Sequence, residues 1–330
     1  MMMSLEMVTA YRKSNALFSF VDSEAPLHLS TQDGKTVEQL AQLCNVYQDR
    51  FHRLLDYMQT LNVLIKKEDK FYLTEQWASL SKPDSFETLY IKFELDPAFW
   101  SAWAQYSSSL RKNNNKSAFE ITHNESFFDY LSNGKNKKIK ITFDNLMAKM
   151  TNMMNEYVID RLPLNNVSSF IDIGGGVGSF AKNIKMHYPH IQCHVMDQYD
   201  FTEQESEGVT LINGNFFSAI PSGYDVYCMK GVLHDWPDNQ VIHLLKNCHQ
   251  AMREDSVLYV IDMIKEPDET ASFDLYIDTL LLGQKRNQSE FEFVAKQAGF
   301  SITNIYNLNF STVNGNQYII EMKKNKFTLK

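Results

Sequence analysis

One stretch constrains the chain more than any other: Phe170-Ile171-Asp172-Ile173, then Gly174-Gly175-Gly176-Val177-Gly178, then Ser179-Phe180. An apolar run without alternation suits a strand buried on both faces. A glycine-rich turn from strand into helix is the device by which a backbone closes on a ligand. From there on, strands and helices alternate. Strands are predicted at 168–173, 191–196, 209–212, 224–229 and 257–264, helices at 179–186, 240–252 and 289–297, and a closing strand pair at 301–306 and 317–322. The pattern predicts a doubly wound, Rossmann-like α/β sheet over residues 166–330.

Two cofactor classes use such a turn. The run Gly176-Val177-Gly178-Ser179-Phe180-Ala181 satisfies a dinucleotide pattern, whereas an acid just before G-x-G-x-G suits S-adenosylmethionine. Asp172 favours the second, because a carboxylate attracts the ammonium of a methionine moiety and repels a pyrophosphate. Asp197 ends the next strand, where its carboxylate can accept both ribose hydroxyls under either reading. After the fourth strand, at the sheet edge where ligands bind, comes the segment 227–240, with His234, Asp235 and Trp236.

The first hundred residues differ. Thr36 precedes apolar residues at helical spacing as an N-cap, a second helix carries Phe51, Leu54, Leu55, Met58 and Leu61, and residues 63–65 and 71–73 form a hairpin. Helix, helix, hairpin reads as a winged helix. Arg50 and Arg53 stand beside Asp49 and Asp56, and the whole chain carries 40 acidic against 32 Lys and Arg residues, so nucleic acid is not an expected partner. A dimerisation domain over 1–100 is expected instead. Residues 101–165 form a helical linker rich in Met and aromatic side chains, which fill cores and can also wall a pocket for a flat ligand. No run approaches the roughly 20 apolar residues of a membrane span, and the four cysteines form no C-x-x-C, so the expected setting is the reducing cytoplasm. Their spacing also implies no metal site.

The glycine turn, Gly214-Asn215-Phe216-Phe217, Leu233-His234-Asp235-Trp236 and the wing domain together resemble the S-adenosylmethionine-dependent O-methyltransferases of the caffeic acid and acetylserotonin type. The resemblance spans nearly the whole chain. It implies methyl transfer to a hydroxyl of a small aromatic acceptor, with S-adenosylhomocysteine as product, and a homodimer through the N-terminal domain. It assigns Asp172, Gly174, Gly176 and Gly178 to the methionine end, Asp197 to the ribose, and Asn215, Phe216 and Lys230 to the adenine, with Trp236 packed nearby. Thr151 follows Phe143 and Met147 as in the family pattern and is assigned to the cofactor carboxylate. His234 matches the general base and Asp262 its acidic neighbour, one methylene shorter than the usual Glu.

Other positions depart from the family. Lys285 stands where a second carboxylate is usual, in a loop about four residues shorter, and Gly231 replaces a bulky residue beside the base. With Met147 and Met150, these mark an altered acceptor pocket, in which a cation at Lys285 would favour an anion. Alternatives stay open: nitrogen methylation, or decarboxylation, hydroxylation or ring closure with the same cofactor. More distant ones are a nicotinamide oxidoreductase using the Gly176 frame and a winged-helix ligand sensor.

Overall fold

A computed structural model describes residues 2–199, 201, 205–267, 271–312 and 314–325. The chain divides into two compact units, one of residues 1–101 and 135–147, the other of 102–134 and 148–330.

The first unit begins with helices α1 (Met2–Thr9) and α2 (Tyr11–Asp22). A short strand, β1 (Lys35–Thr36), leads into α3 (Val37–Leu43). Thr36 caps α3 reciprocally with Gln39: Gln39 N–H donates to Thr36 Oγ1 at 3.2 Å, and Thr36 N–H donates to Gln39 Oε1 at 2.9 Å. After α4 (Gln48–Thr60) comes the hairpin of β2 (Leu64–Lys67) and β3 (Lys70–Leu73), with β1 added on the far side of β3. The expected helix-helix-hairpin order is therefore present. Its core gathers Leu40, Leu55, Met58, Phe71 and Leu80, all fully buried, beneath α2 and α5 (Phe86–Glu94). Each fully buried side chain of this kind contributes roughly 1.5–3 kcal/mol.

Short helices α6 (Pro97–Ala102), α7 (Tyr106–Ser109), α8 (Ala118–His123) and α9 (Phe127–Ser132) precede the 23-residue α10 (Lys137–Ile159). The second unit then runs β4 (Ser169–Ile173), α11 (Ser179–His187), β5 (Gln192–Asp197), β6 (Glu205–Ser206), β7 (Val209–Asn213) and β8 (Val226–Lys230). It continues with α12 (Asp238–Ala251), β9 (Val257–Met263), α13 (Ser272–Leu281), α14 (Gln288–Gln297), β10 (Phe300–Thr312) and β11 (Gly315–Lys324).

The strand order is β10-β11-β9-β8-β4-β5-β7-β6. Strands β7, β5, β4, β8 and β9 are parallel, β11 and β10 close one edge antiparallel, and the two-residue β6 trims the other. The apolar runs in β4, β8 and β9 are buried along almost their whole length, as parallel strands covered on both faces must be. Sequence order reverses on either side of β4, which makes its carboxyl end the switch point where a crevice opens.

Candidate active site

Each acidic or glycine-bearing segment singled out in the second unit emerges at that carboxyl edge. At the end of β4 the chain turns back over its own strand. Gly174 adopts φ +72°, and a Cβ on it would lie 2.9 Å from Val232 Cγ2, so both conformation and space require glycine. A Cβ on Gly175 would meet Asp172 Oδ2 at 2.6 Å, so the turn lies directly over that carboxylate. Gly178 ends the turn as the N-cap of α11.

Asp172 is 1% exposed, and neither of its carboxylate oxygens has a hydrogen-bond partner among the described residues. Burial raises its pKa, Lys230 lowers it and Asp197 raises it, leaving it at about 7. A buried carboxylate without a donor is expensive, and one facing a glycine turn fits a ligand that brings its own ammonium group. Asp197 has a different local task. Its Oδ2 accepts Gly176 N–H at 2.8 Å and its Oδ1 accepts Tyr199 N–H at 3.1 Å, so it ties the end of β5 to the glycine turn.

Beyond β7, Asn215 Oδ1 accepts Phe217 N–H at 2.8 Å, a local turn that leaves its amide N–H groups for another partner. Asn247 holds the carbonyls of Phe216 and Phe217, and the Phe216 and Phe217 rings pack edge-on to Trp236 at 6.1 and 4.8 Å. Phe128 stacks on Trp236 at 5.8 Å. Three aromatic rings thus surround Trp236 beside the end of β7.

His234 lies in a 3-10 turn just after β8. Its Nδ1 is 2.6 Å from Oδ1 of Asp262, at the end of β9, and its backbone N–H donates to the other oxygen of Asp262 at 3.2 Å. Asp235 Oδ1 is 3.4 Å from Nε2. Burial pulls the imidazole pKa down, but Asp262, then Asp235, more than offset this, raising it to about 9. Asp235 itself is pushed up to about 6, by burial first, with His234 opposing. Lys230 lies within electrostatic reach of Asp172 and Asp262, which partly offset the lowering that burial imposes on its ammonium.

The remaining candidates occupy varied settings. Thr151 is buried on α10, with Met147 and Met150 half-buried on the same helix, Met147 ending the first unit's share of it. Gly231 is exposed at φ +66°, and a Cβ there would touch only His234 Cε1, at 3.7 Å. Lys285 is 3% exposed, and its ammonium donates to the Asn314 carbonyl at 2.9 Å. Its backbone N–H donates to Asp274 at 2.7 Å.

A group beside it leaves little mark in the sequence. Gly283, Gln284 and Arg286 run behind the His234 turn: a Cβ on Gly283 would lie 2.2 Å from the His234 carbonyl, and Gln284 N–H donates to that carbonyl at 2.9 Å. In the sequence it shows as no more than a lone glycine and an arginine within the short polar run 283–288.

Residues 103–301 match the family model for the O-methyltransferase domain. The mitomycin biosynthesis 6-O-methyltransferase of Streptomyces lavendulae is 26% identical over 306 residues, covering 88% of this chain and 86% of that protein. The solved structure of a mitomycin 7-O-methyltransferase matches with a TM-score of 0.88 at 25% identity, over 98% of this chain and 97% of that one. An O-methyltransferase from neocarzinostatin biosynthesis, solved with S-adenosylmethionine and 2-hydroxy-5-methyl naphthoic acid, shares the fold at a TM-score of 0.79 and 19% identity, over 94% and 96% of the two chains.

Proposed function

The chain belongs to the S-adenosylmethionine-dependent O-methyltransferases, and on that premise we propose that it methylates a hydroxyl of a small aromatic acceptor with His234 as general base. The observation that carries this is the 2.6 Å contact between His234 Nδ1 and Asp262 at the carboxyl edge of the sheet, beside the glycine turn. Asp172 and Gly174 to Gly178 would hold the methionine end, Asp197 the ribose, and Asn215, Phe216 and Trp236 the adenine. Bound there, S-adenosylmethionine supplies a methyl group activated by a sulfonium.

The task of the protein is to make an oxygen nucleophilic. With Nδ1–H donating to Asp262, the free lone pair of the neutral imidazole lies on Nε2, which accepts the hydroxyl proton as the oxygen takes the methyl group. A phenol has a pKa of about 10 and an ordinary histidine about 6.5, a gap of roughly 5 kcal/mol. At the value of about 9 that Asp262 and Asp235 sustain in His234, that gap shrinks to about 1.4 kcal/mol. The counterpart is that more of the histidine starts protonated at neutral pH, so activity should climb on the alkaline side.

Incubation with methyl-labelled S-adenosylmethionine and a panel of phenols, indoles and aromatic acids tests the reading. Label should appear on a hydroxyl, with S-adenosylhomocysteine released. His234→Ala should lower turnover by about 10² or more with S-adenosylhomocysteine affinity little changed; an undiminished rate would remove His234 from its role.

We further propose that the N-terminal unit pairs with a second copy of the chain. Leu5, Met7, Val8 and Tyr11 are exposed apolar side chains on α1 and the start of α2, a concentration that a second copy would cover.

A further inference from the structure

Arg286 has the largest fully buried side chain among the described residues, and a guanidinium cannot shed its charge to escape burial. Its donors are spent on one short stretch of chain. One terminal nitrogen donates to the Leu233 carbonyl at 2.8 Å, the other to the Trp236 carbonyl at 2.7 Å, and Nε donates to Asp238 Oδ1 at 2.9 Å. The two carbonyls belong to the residues immediately before His234 and two after it. Gln284 closes the same arrangement, its N–H on the His234 carbonyl and its side chain on Asp238 Oδ1 at 2.6 Å.

The other side of this strap is tied to the strand that carries Asp262. Lys265 N–H donates to the Arg286 carbonyl at 2.9 Å, and Ile264 and Arg286 form a parallel bridge, two residues beyond Asp262. Residues 283–286 thus join the turn bearing the imidazole to the strand bearing its carboxylate.

We propose that Arg286 is a positioning residue, which sets His234 Nδ1 against Asp262 by clamping the carbonyls on either side of the histidine. This rests on the reading of His234 as base, but its measurement needs neither acceptor nor turnover. Lysine in place of arginine keeps the charge but gathers its three donors on one nitrogen, so it loses the planar fork whose three separate nitrogens reach the two carbonyls and the carboxylate here.

The test uses the full chain. A short charge-assisted hydrogen bond from Nδ1–H to Asp262 gives a far-downfield proton resonance, identified by its disappearance in His234→Asn. In Arg286→Lys this resonance should shift or vanish while the protein still melts cooperatively and S-adenosylhomocysteine affinity, read by calorimetry, is unchanged. With an acceptor in hand, kcat should fall roughly 10- to 100-fold through misplacement of the base. If Arg286→Lys does not fold, Asp238→Asn, on the more exposed side of the same clamp, takes its place with the same expectation. A resonance unmoved in the folded variant overturns the proposal. A resonance absent from the unaltered protein removes the His234–Asp262 pairing and overturns it as well. If instead His234→Asn turns over acceptors as fast as the unaltered protein, the base assignment itself has failed.

Discussion

Asp262→Asn removes the carboxylate that does most to hold His234 at a pKa of about 9 while burial pulls it down. Without that charge the imidazole should return to about 6.5 or lower, a change worth about 3.4 kcal/mol. Because kcat/KM reports the free enzyme, its rising limb should move from near pH 9 to below pH 7. On the alkaline plateau the variant should be slower by roughly 10- to 100-fold, because it carries a weaker base with its tautomer less firmly set. At pH 7 the deficit should close or reverse: roughly 1% of the histidine is neutral in the unaltered protein against roughly three quarters in the variant, a factor of about 75 that nearly offsets a 100-fold slower plateau and outweighs a 10-fold slower one. Stability follows the same titration. A pKa raised on folding stabilises fully below the unfolded value, and that contribution is lost as pH rises through the folded value. The melting difference between the two proteins should therefore be largest below about pH 6.5 and decline toward pH 10. Methyl transfer and thermal melting between pH 6 and 10 provide both curves. A limb that stays in place while the rate falls evenly at all pH values would show that His234 is not the titrating group.

Asp172→Asn should stabilise the ligand-free protein while weakening its hold on S-adenosylmethionine. The carboxyl pKa is raised on folding, so ionisation costs stability as pH climbs from about 4 to about 7, and at pH 8 the variant should gain up to about 4 kcal/mol. Equal melting temperatures at pH 8 would contradict the orphaned carboxylate. For the N-terminal unit, sedimentation equilibrium at micromolar concentration should give a dimer mass, and replacing Leu5 and Val8 with Lys should lower it to that of the 38.3 kDa chain. A monomer mass before substitution would refute the pairing.

What could be read from sequence followed the physics of each element. Strands β4, β8 and β9 are apolar runs whose carboxyl ends are legible to within a residue or two because glycine or a charged residue breaks each run, at Gly174, at Lys230-Gly231 and at Lys265, while the more mixed β5 is closed by Asp197. The candidate residues at those ends were therefore legible by position. The sequence predicts a strand over 301–306, whereas β10 extends over Phe300–Thr312: the added segment Asn307-Leu308-Asn309-Phe310-Ser311 alternates polar with apolar residues, buries Leu308 completely, and pairs with β11 beyond a register shift between Asn307 and Ser311. Helix α13 was not anticipated, since Tyr276 to Leu282 is apolar enough to lack a clear polar face.

The loop after α13 shows why the site was less legible than the sheet. Residue type pointed to Lys285 as a pocket cation, yet its ammonium donates to the Asn314 carbonyl, which reduces its value for drawing an anionic acceptor. The neighbouring Arg286 works on backbone carbonyls at 233 and 236, and carbonyls leave no trace in a sequence. Charge at the acceptor-facing nitrogen of His234 is set by Asp235 rather than by a lysine, so the side of the imidazole that takes the proton is acidic in character. A negative charge there supports the imidazolium that forms as the hydroxyl is deprotonated, and it disfavours an acceptor bearing its own carboxylate close to the reacting oxygen. The panel of phenols and aromatic acids therefore carries a second comparison: neutral hydroxylated aromatics should be taken ahead of ortho-hydroxy acids of the same size.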